Sequence, residues 1–117
     1  MDVASSEQTM IAINSVVADR ADEFEEWLRS VFVPVVNDLR PELRGRWRAL
    51  RATEVEDGVV VFAFVCEGES RDDWALEPVL REALGEQGAA DALATFAGFL
   101  KEEQRNWFFT PVTFEGA

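Results

Sequence analysis

Apolar and polar positions follow two different rhythms along this chain, and the switches between them outline its elements. Residues Thr9 to Val17 are rich in β-branched and aliphatic side chains, contain no breaker and predict a strand. From Asp19 or Arg20 the rhythm becomes helical: Phe24, Leu28, Val31 and Val35 form a stripe, flanked by Trp27 and Phe32. Asp22, Glu23, Glu25 and Glu26 crowd the first turns, where the helix dipole favours anions. Pro34 is predicted to kink or end this helix, because it lacks a backbone donor and crowds the turn before it. Residues 37–41 then form a connection.

Two further strands are predicted, from about Arg44 to Val55 and from Val59 to Glu67. Asp57 and Gly58 between them signal a hairpin, since a type I′ turn needs positive φ at both central positions. A second helical region begins within residues 69–73. Trp74, Val79, Leu80 and Leu84 mark its first piece, and Leu93, Phe96, Phe99 and Leu100 its second, with a break over Gly85 to Gly88. A last strand covers Asn106 to Phe114, with Pro111 marking an edge or its end.

The order β-α-β-β-α(α)-β is the split βαβ of an α+β, ferredoxin-like domain: a four-stranded antiparallel sheet with its helices on one face. Residues 9–117 make a single domain on this reading, and residues 1–8 a loosely ordered N-terminus. The strand 59–66 is apolar on both faces, so one face meets the helices and something else must cover the other. A second copy of the chain is the economical answer, giving a homodimer joined sheet face to sheet face.

Composition narrows the chemistry. With 23 Asp and Glu against 11 Lys and Arg the net charge is −12, a poor surface for nucleic acid, whose binding depends on neutralising phosphates. No apolar run approaches the roughly 20 residues of a membrane span, and the N-terminus lacks the pattern of a secretion signal. One cysteine, Cys66, precludes an internal disulfide and suits a reducing cytoplasm. There is no histidine and no tyrosine. Nucleophiles activated by histidine are therefore excluded, and so are histidine-ligated zinc or haem. No cofactor is expected. Reconstitution with haem or divalent metals should give no stoichiometric tight complex, and a defined axial-ligand spectrum would refute this.

The run 24–34, FEEWLRSVFVP, resembles the first helix of the dimeric α/β-barrel superfamily, above all its EthD-like and stress-responsive branches. Antibiotic-biosynthesis monooxygenases and polyketide cyclases share that superfamily's order of elements. The resemblance implies a small-molecule pocket inside a dimeric barrel. Where those relatives carry histidine this chain has Phe32, so the contact made by that histidine does not carry over. Trp27, Phe32 and Pro34 otherwise read simply as core and kink.

An unbroken hairpin closed by Asp57 and Gly58 sets Thr53 opposite Phe62, Arg51 opposite Phe64 and Ala49 opposite Cys66, with Trp47 further along the same face. The other face carries Leu50, Ala52, Val61, Ala63 and Val65, smooth and aliphatic as a helix-packing surface should be, with Arg48 opposite Glu67. Ile11 and Ile13 join this second face, and Asn14 joins the first. The first face is thus assigned to the barrel interior, with Phe62 and Phe64 dependent on a partner for cover; their exposure would lose about 1.5–3 kcal/mol apiece. Candidate ligand-binding residues are Asn14, Trp47, Arg51, Thr53, Phe62, Phe64 and Trp107. Arg51 must find a carboxylate of the protein or a ligand anion. Arg40, Arg44, Arg46 and Arg48 beside it are read as balanced by the acidic helices.

Cys66 reads as a buried strand residue with no group to activate it. Asp72 with Asp73, and Glu102 with Glu103, read as solvated helix charges and not as a metal site. Two functions remain. One is a cofactor-independent oxygenase or cyclase of natural-product type, acting on an aromatic or polyketide-like substrate, with Arg51 and Asn14 stabilising developing oxyanion charge. The other is a non-catalytic ligand-binding or assembly module of the same fold.

Overall fold

Four strands form one antiparallel sheet in the order β2-β3-β1-β4: β1 is Gln8–Val17, β2 Trp47–Arg51, β3 Val59–Gly68 and β4 Arg105–Phe109. The computed structural model describes residues 8–68 and 76–116. The central pair β1 and β3 is the longest ladder, running from Gln8 opposite Gly68 to Val17 opposite Val59. Between β1 and β2 lie the helices α1 (Ala21–Trp27) and α2 (Val33–Leu39), and α3 (Leu76–Phe99) precedes β4. This is the ferredoxin-like α+β arrangement that the order of periodicities predicts. Of the terminus 1–8 expected to be loosely ordered, residues 1–7 lie outside the described residues, as do the start of the second helical region with Trp74 and the Asp72 and Asp73 pair, while Gln8 belongs to β1.

Pro34 neither ends nor breaks its helix. The preceding turn, Leu28–Phe32, widens to a π-helix, and the Val33 N–H bonds to the Leu28 carbonyl five residues back. That shift takes up the register at the point where Pro34 has no donor to offer, so α2 continues to Leu39. Gly85 provides the predicted break in α3, with φ 76° and ψ 175° inside an otherwise helical segment. Only glycine enters that region without strain.

The Asp57–Gly58 turn forms as expected, both residues having positive φ and Glu56 pairing with Val59. Beyond it the ladder is interrupted. Thr53, Glu54 and Val55 leave the sheet, and pairing resumes with Arg51 opposite Phe62, Ala49 opposite Phe64 and Trp47 opposite Cys66. The unbroken-hairpin register is therefore displaced by two residues through a bulge. An even displacement leaves each side chain on its predicted face. Both outer strands are shorter than predicted: β2 covers only 47–51, and β4 ends at Phe109, before Pro111.

The larger correction is which face meets the helices. Ala12, Asn14, Val16, Val60, Phe62, Phe64 and Cys66 are buried beneath Phe24, Leu28, Phe96 and Phe99. Phe62 and Phe64 are thus covered by their own chain. Ile11, Ile13, Leu50, Val61, Ala63 and Val65 lie on the opposite, open face. The cause is volume. A helix layer standing about 10 Å above a sheet leaves a gap that aromatic rings fill and short β-branched side chains do not. The helices bring Phe24, Trp27, Phe96 and Phe99 to that gap, with Phe24 edge-on to Phe62 at 4.9 Å between ring centroids.

Candidate functional site

The helix-covered face of the sheet presents three rows of side chains, set by the strand register. The first row is Trp47, Cys66, Met10 and Phe108, and the second is Ala49, Phe64, Ala12 and Asn106. The third starts with Arg51, Phe62 and Asn14 and continues to Gln104, just before β4. The layer is closed over the third row, where Asn14 has no exposed surface. It is only half closed at the first, where Met10, Trp47 and Phe32 remain partly accessible.

Phe32, at the position where the resemblance predicts histidine, lies parallel to Phe64 at 6.0 Å and edge-on to Trp47 at 5.7 Å. Trp27 stands behind it at 6.4 Å and touches both the main core and a smaller cluster of Leu80, Ala89 and Ala92. The accessible end of the layer is therefore an aromatic wall of Trp27, Phe32, Trp47 and Phe64. Planar apolar molecules stack on such walls. The π-helical turn of residues 28–32 sets the angle at which Phe32 enters this wall.

Polar groups on this face are few. Asn14 donates from Nδ2 to the Phe62 carbonyl at 3.1 Å and accepts at Oδ1 from Gln104 Nε2 at 2.8 Å. Cys66 sits within the first row, and burial pushes its thiol up to about 12, so it stays protonated at neutral pH and is no nucleophile. Arg51 meets two carboxylates of its own chain, Asp22 and Glu25, each at 2.9 Å from Nη1. This is the ion-pair alternative raised by the sequence. Hydrogen bonds from Arg51, then from Arg29, hold the Glu25 carboxyl below the usual carboxylate range. Among the neighbouring arginines, Arg40 pairs with Glu82 at 3.3 Å.

The register brings Asn14, Trp47, Arg51, Phe62 and Phe64 to one face as expected, but separates two other candidates. Thr53 stands outside the ladder and is exposed. Trp107 pairs with Ile11 and so lies on the open face, where it is 43% exposed and Arg105 rests 5.1 Å above its ring. Gln104 was not among the candidates. Its link to Asn14 spans 90 residues and follows only from the β1–β4 register.

The Arg51 cluster sets a pH dependence of stability. A carboxyl held below its unfolded value stabilises the fold at neutral pH, and that contribution is lost as pH falls through the folded-state value. Arg51→Leu should therefore cost a little stability near pH 7, where the contribution is full though the exposed pair is solvent-screened, and nothing once the carboxyls are protonated, so that stability falls less steeply with acid than in wild type. Urea unfolding at pH 7 and at pH 3 checks this; a difference from wild type that is the same at both would show that the pair contributes nothing to the pH dependence.

No protein-family model and no curated protein matches the sequence. Solved structures do match the fold. A NIPSNAP-family protein of unknown function from Agrobacterium tumefaciens superposes with a TM-score of 0.62 at 10% identity, over 94% of this chain and 92% of that one. A monooxygenase of Streptomyces coelicolor, solved in complex with nanaomycin D, gives 0.52 at 16% identity over 94% and 91%. A dimeric ferredoxin-like protein of unknown function from Thermobifida fusca gives 0.52 at 16% over 91% and 92%. The chain thus has the ferredoxin-like fold shared by antibiotic-biosynthesis-monooxygenase-like and dimeric ferredoxin-like proteins. Among the described residues, no helix is long and apolar enough to cross a membrane, and no three potential metal-ligating side chains lie together.

Proposed function

We propose that the layer between sheet and helices binds a planar aromatic or polyketide-like molecule, and that the protein is a small-molecule enzyme of the cofactor-independent oxygenase or cyclase type. One observation carries this reading: a half-open aromatic wall of Trp27, Phe32, Trp47 and Phe64 borders the layer in which a carboxamide, Asn14, is fully buried. A substrate that stacks on that wall and reaches past Phe62 would bring an oxygen to Asn14 Nδ2, a donor fixed before the substrate arrives. Two carboxylates of α1, Asp22 and Glu25, are engaged by Arg51. On this reading the base is the substrate's own oxygen, as in an electron-rich phenolate that reacts directly with dioxygen or closes on itself. The same arrangement supports a second reading, a non-catalytic binder, because positioning is all it needs.

The open sheet face belongs to this proposal. A second copy covering it makes a homodimer with one such layer in each protomer, as the dimeric-barrel resemblance implies. Because the aromatic wall lies on the helix side, each protomer binds independently of the interface.

Titration with nanaomycin D, the ligand of the Streptomyces coelicolor protein, tests binding through tryptophan fluorescence. Wild type should be quenched in a saturable way and Trp47→Ala should lose most of that signal. Oxygen uptake with dihydroxynaphthalenes and no added cofactor then separates enzyme from binder. Binding without turnover favours the binder, and no binding of any planar aromatic refutes both.

A further inference from the structure

We infer that Gln104 is a positioning residue, which fixes the Asn14 carboxamide so that one of its N–H groups is held ready for a ligand oxygen. The inference rests on the reading of Asn14 as the polar anchor of the site. The hydrogen bonds leave one consistent assignment. The Phe62 main-chain carbonyl can only accept, so the Asn14 group facing it at 3.1 Å must be Nδ2. Asn14 Oδ1 then faces Gln104, and the Gln104 group 2.8 Å away must be its amino end. A main-chain oxygen thus orients one amide and that amide orients the next.

This chain accounts for one of the two Nδ2 hydrogens. Among the described residues the Phe62 carbonyl is the acceptor to which that nitrogen donates, and Asn14 has no exposed surface. A buried donor left unpaired is a standing penalty that a ligand oxygen would remove. Gln104 is half-buried, and its segment is pinned to the end of β1. Leu100 bridges Val16, the Lys101 N–H bonds the Ser15 carbonyl at 2.8 Å, and the Lys101 ammonium reaches the Asp57 carbonyl at 3.1 Å. The carboxamide of Asn14 is therefore locked from one side by β3 and from the other by the strap leading into β4.

Gln104→Glu is the informative variant, because it keeps the shape and removes the donor. Its carboxylate would meet Asn14 Oδ1 with no hydrogen between them. The Asn14 amide must then turn and surrender its bond to Phe62. Gln104→Ala leaves the Phe62 bond in place and should act more mildly, which keeps the test open if the glutamate variant folds poorly. The probes are 2-hydroxy-1,4-naphthoquinone and naphthalene, equal in ring size and different in oxygen, followed by tryptophan fluorescence.

Gln104→Glu should weaken quinone binding about tenfold and Gln104→Ala about threefold, with naphthalene binding held within twofold in both. Equal loss for both probes would make Gln104 a merely structural residue and overturn the inference. So would a quinone affinity unchanged in both Gln104 variants while Asn14→Leu weakens it, an outcome that leaves the role of Asn14 standing. If wild type binds no quinone, or Asn14→Leu binds it as wild type does, the underlying reading fails and takes this one with it.

Discussion

At micromolar concentration the protein should scatter light as a particle of about twice 13.2 kDa, and Ile13→Glu should return it to the mass of a single chain. The open face of the sheet is the reason. Ile11 and Ile13 on β1 and Val61, Ala63 and Val65 on β3 form its centre, flanked by Leu50, Trp107 and Phe109, which are 46%, 43% and 46% exposed. Each of these three gains on the order of 2 kcal/mol if its remaining apolar surface leaves water. An apolar face running across all four strands of a sheet is the kind of surface that a partner covers. The charges are arranged to permit the contact. Asp22, Glu23, Glu25 and Glu26 belong to α1 on the other side, while Arg48 and Arg105 lie at the margins of the open face. Added salt should therefore strengthen association, by screening the net −12 of each copy more than it weakens any pairing across the interface. The carboxylate introduced by Ile13→Glu would point away from the protomer's own core, so the variant should retain its circular dichroism. A wild-type monomer at these concentrations would refute the dimer. A variant that dimerises normally would move the interface elsewhere.

The order of elements was legible because each is announced by local chemistry: unbroken β-branched and apolar runs in β1 and β3, the acidic first turn of α1, the Asp57–Gly58 turn and the break at Gly85. Parity was legible as well. Asn14, Phe62, Phe64, Trp47 and Arg51 share a face even though the hairpin register is displaced by two. Orientation was not legible, because alternation divides a strand into two sides without saying which side looks inward. With both sides of β3 apolar, the decision falls to whatever the helices bring. Phe24, Phe96 and Phe99 require aromatic partners, and smoothness of the aliphatic side was the wrong criterion. Gln104 was missed and Trp107 misplaced for a related reason. Both take their places from the β1–β4 pairing, which joins segments some 90 residues apart and leaves no local trace. The same pairing put Trp107 on the open face of the sheet and not on the helix-covered face.

Phe24→Ala should reduce the stability of the fold by about 3–5 kcal/mol, the range for removing a fully buried aromatic ring from a core that cannot collapse around the gap. Phe24 has no exposed surface, and its ring is surrounded by others: Phe62 at 4.9 Å, Phe99 at 5.2 Å, Phe96 at 5.9 Å and Trp27 at 6.4 Å. Two of these contacts are edge-on, an arrangement worth about 0.5–1.5 kcal/mol per pair beyond area burial. Three separate elements, α1, α3 and β3, meet at this one side chain, so no single segment can shift to refill the space. Phe24→Leu retains most of the volume and should lose about half as much. Phe114→Ala is the internal control, since that ring is 67% exposed and its removal should change little. Urea unfolding at one fixed protein concentration measures all three, the fixed concentration being required because dimerisation would otherwise enter the midpoint. Equal, small losses for Phe24→Ala and Phe114→Ala would mean that the aromatic layer does not hold the helices to the sheet. If the layer binds a ligand as proposed, the same rings that close it over Asn14 set how far that ligand enters. Phe24→Ala should therefore bind naphthalene more tightly than wild type while being the less stable protein, the signature of a cavity made by subtraction.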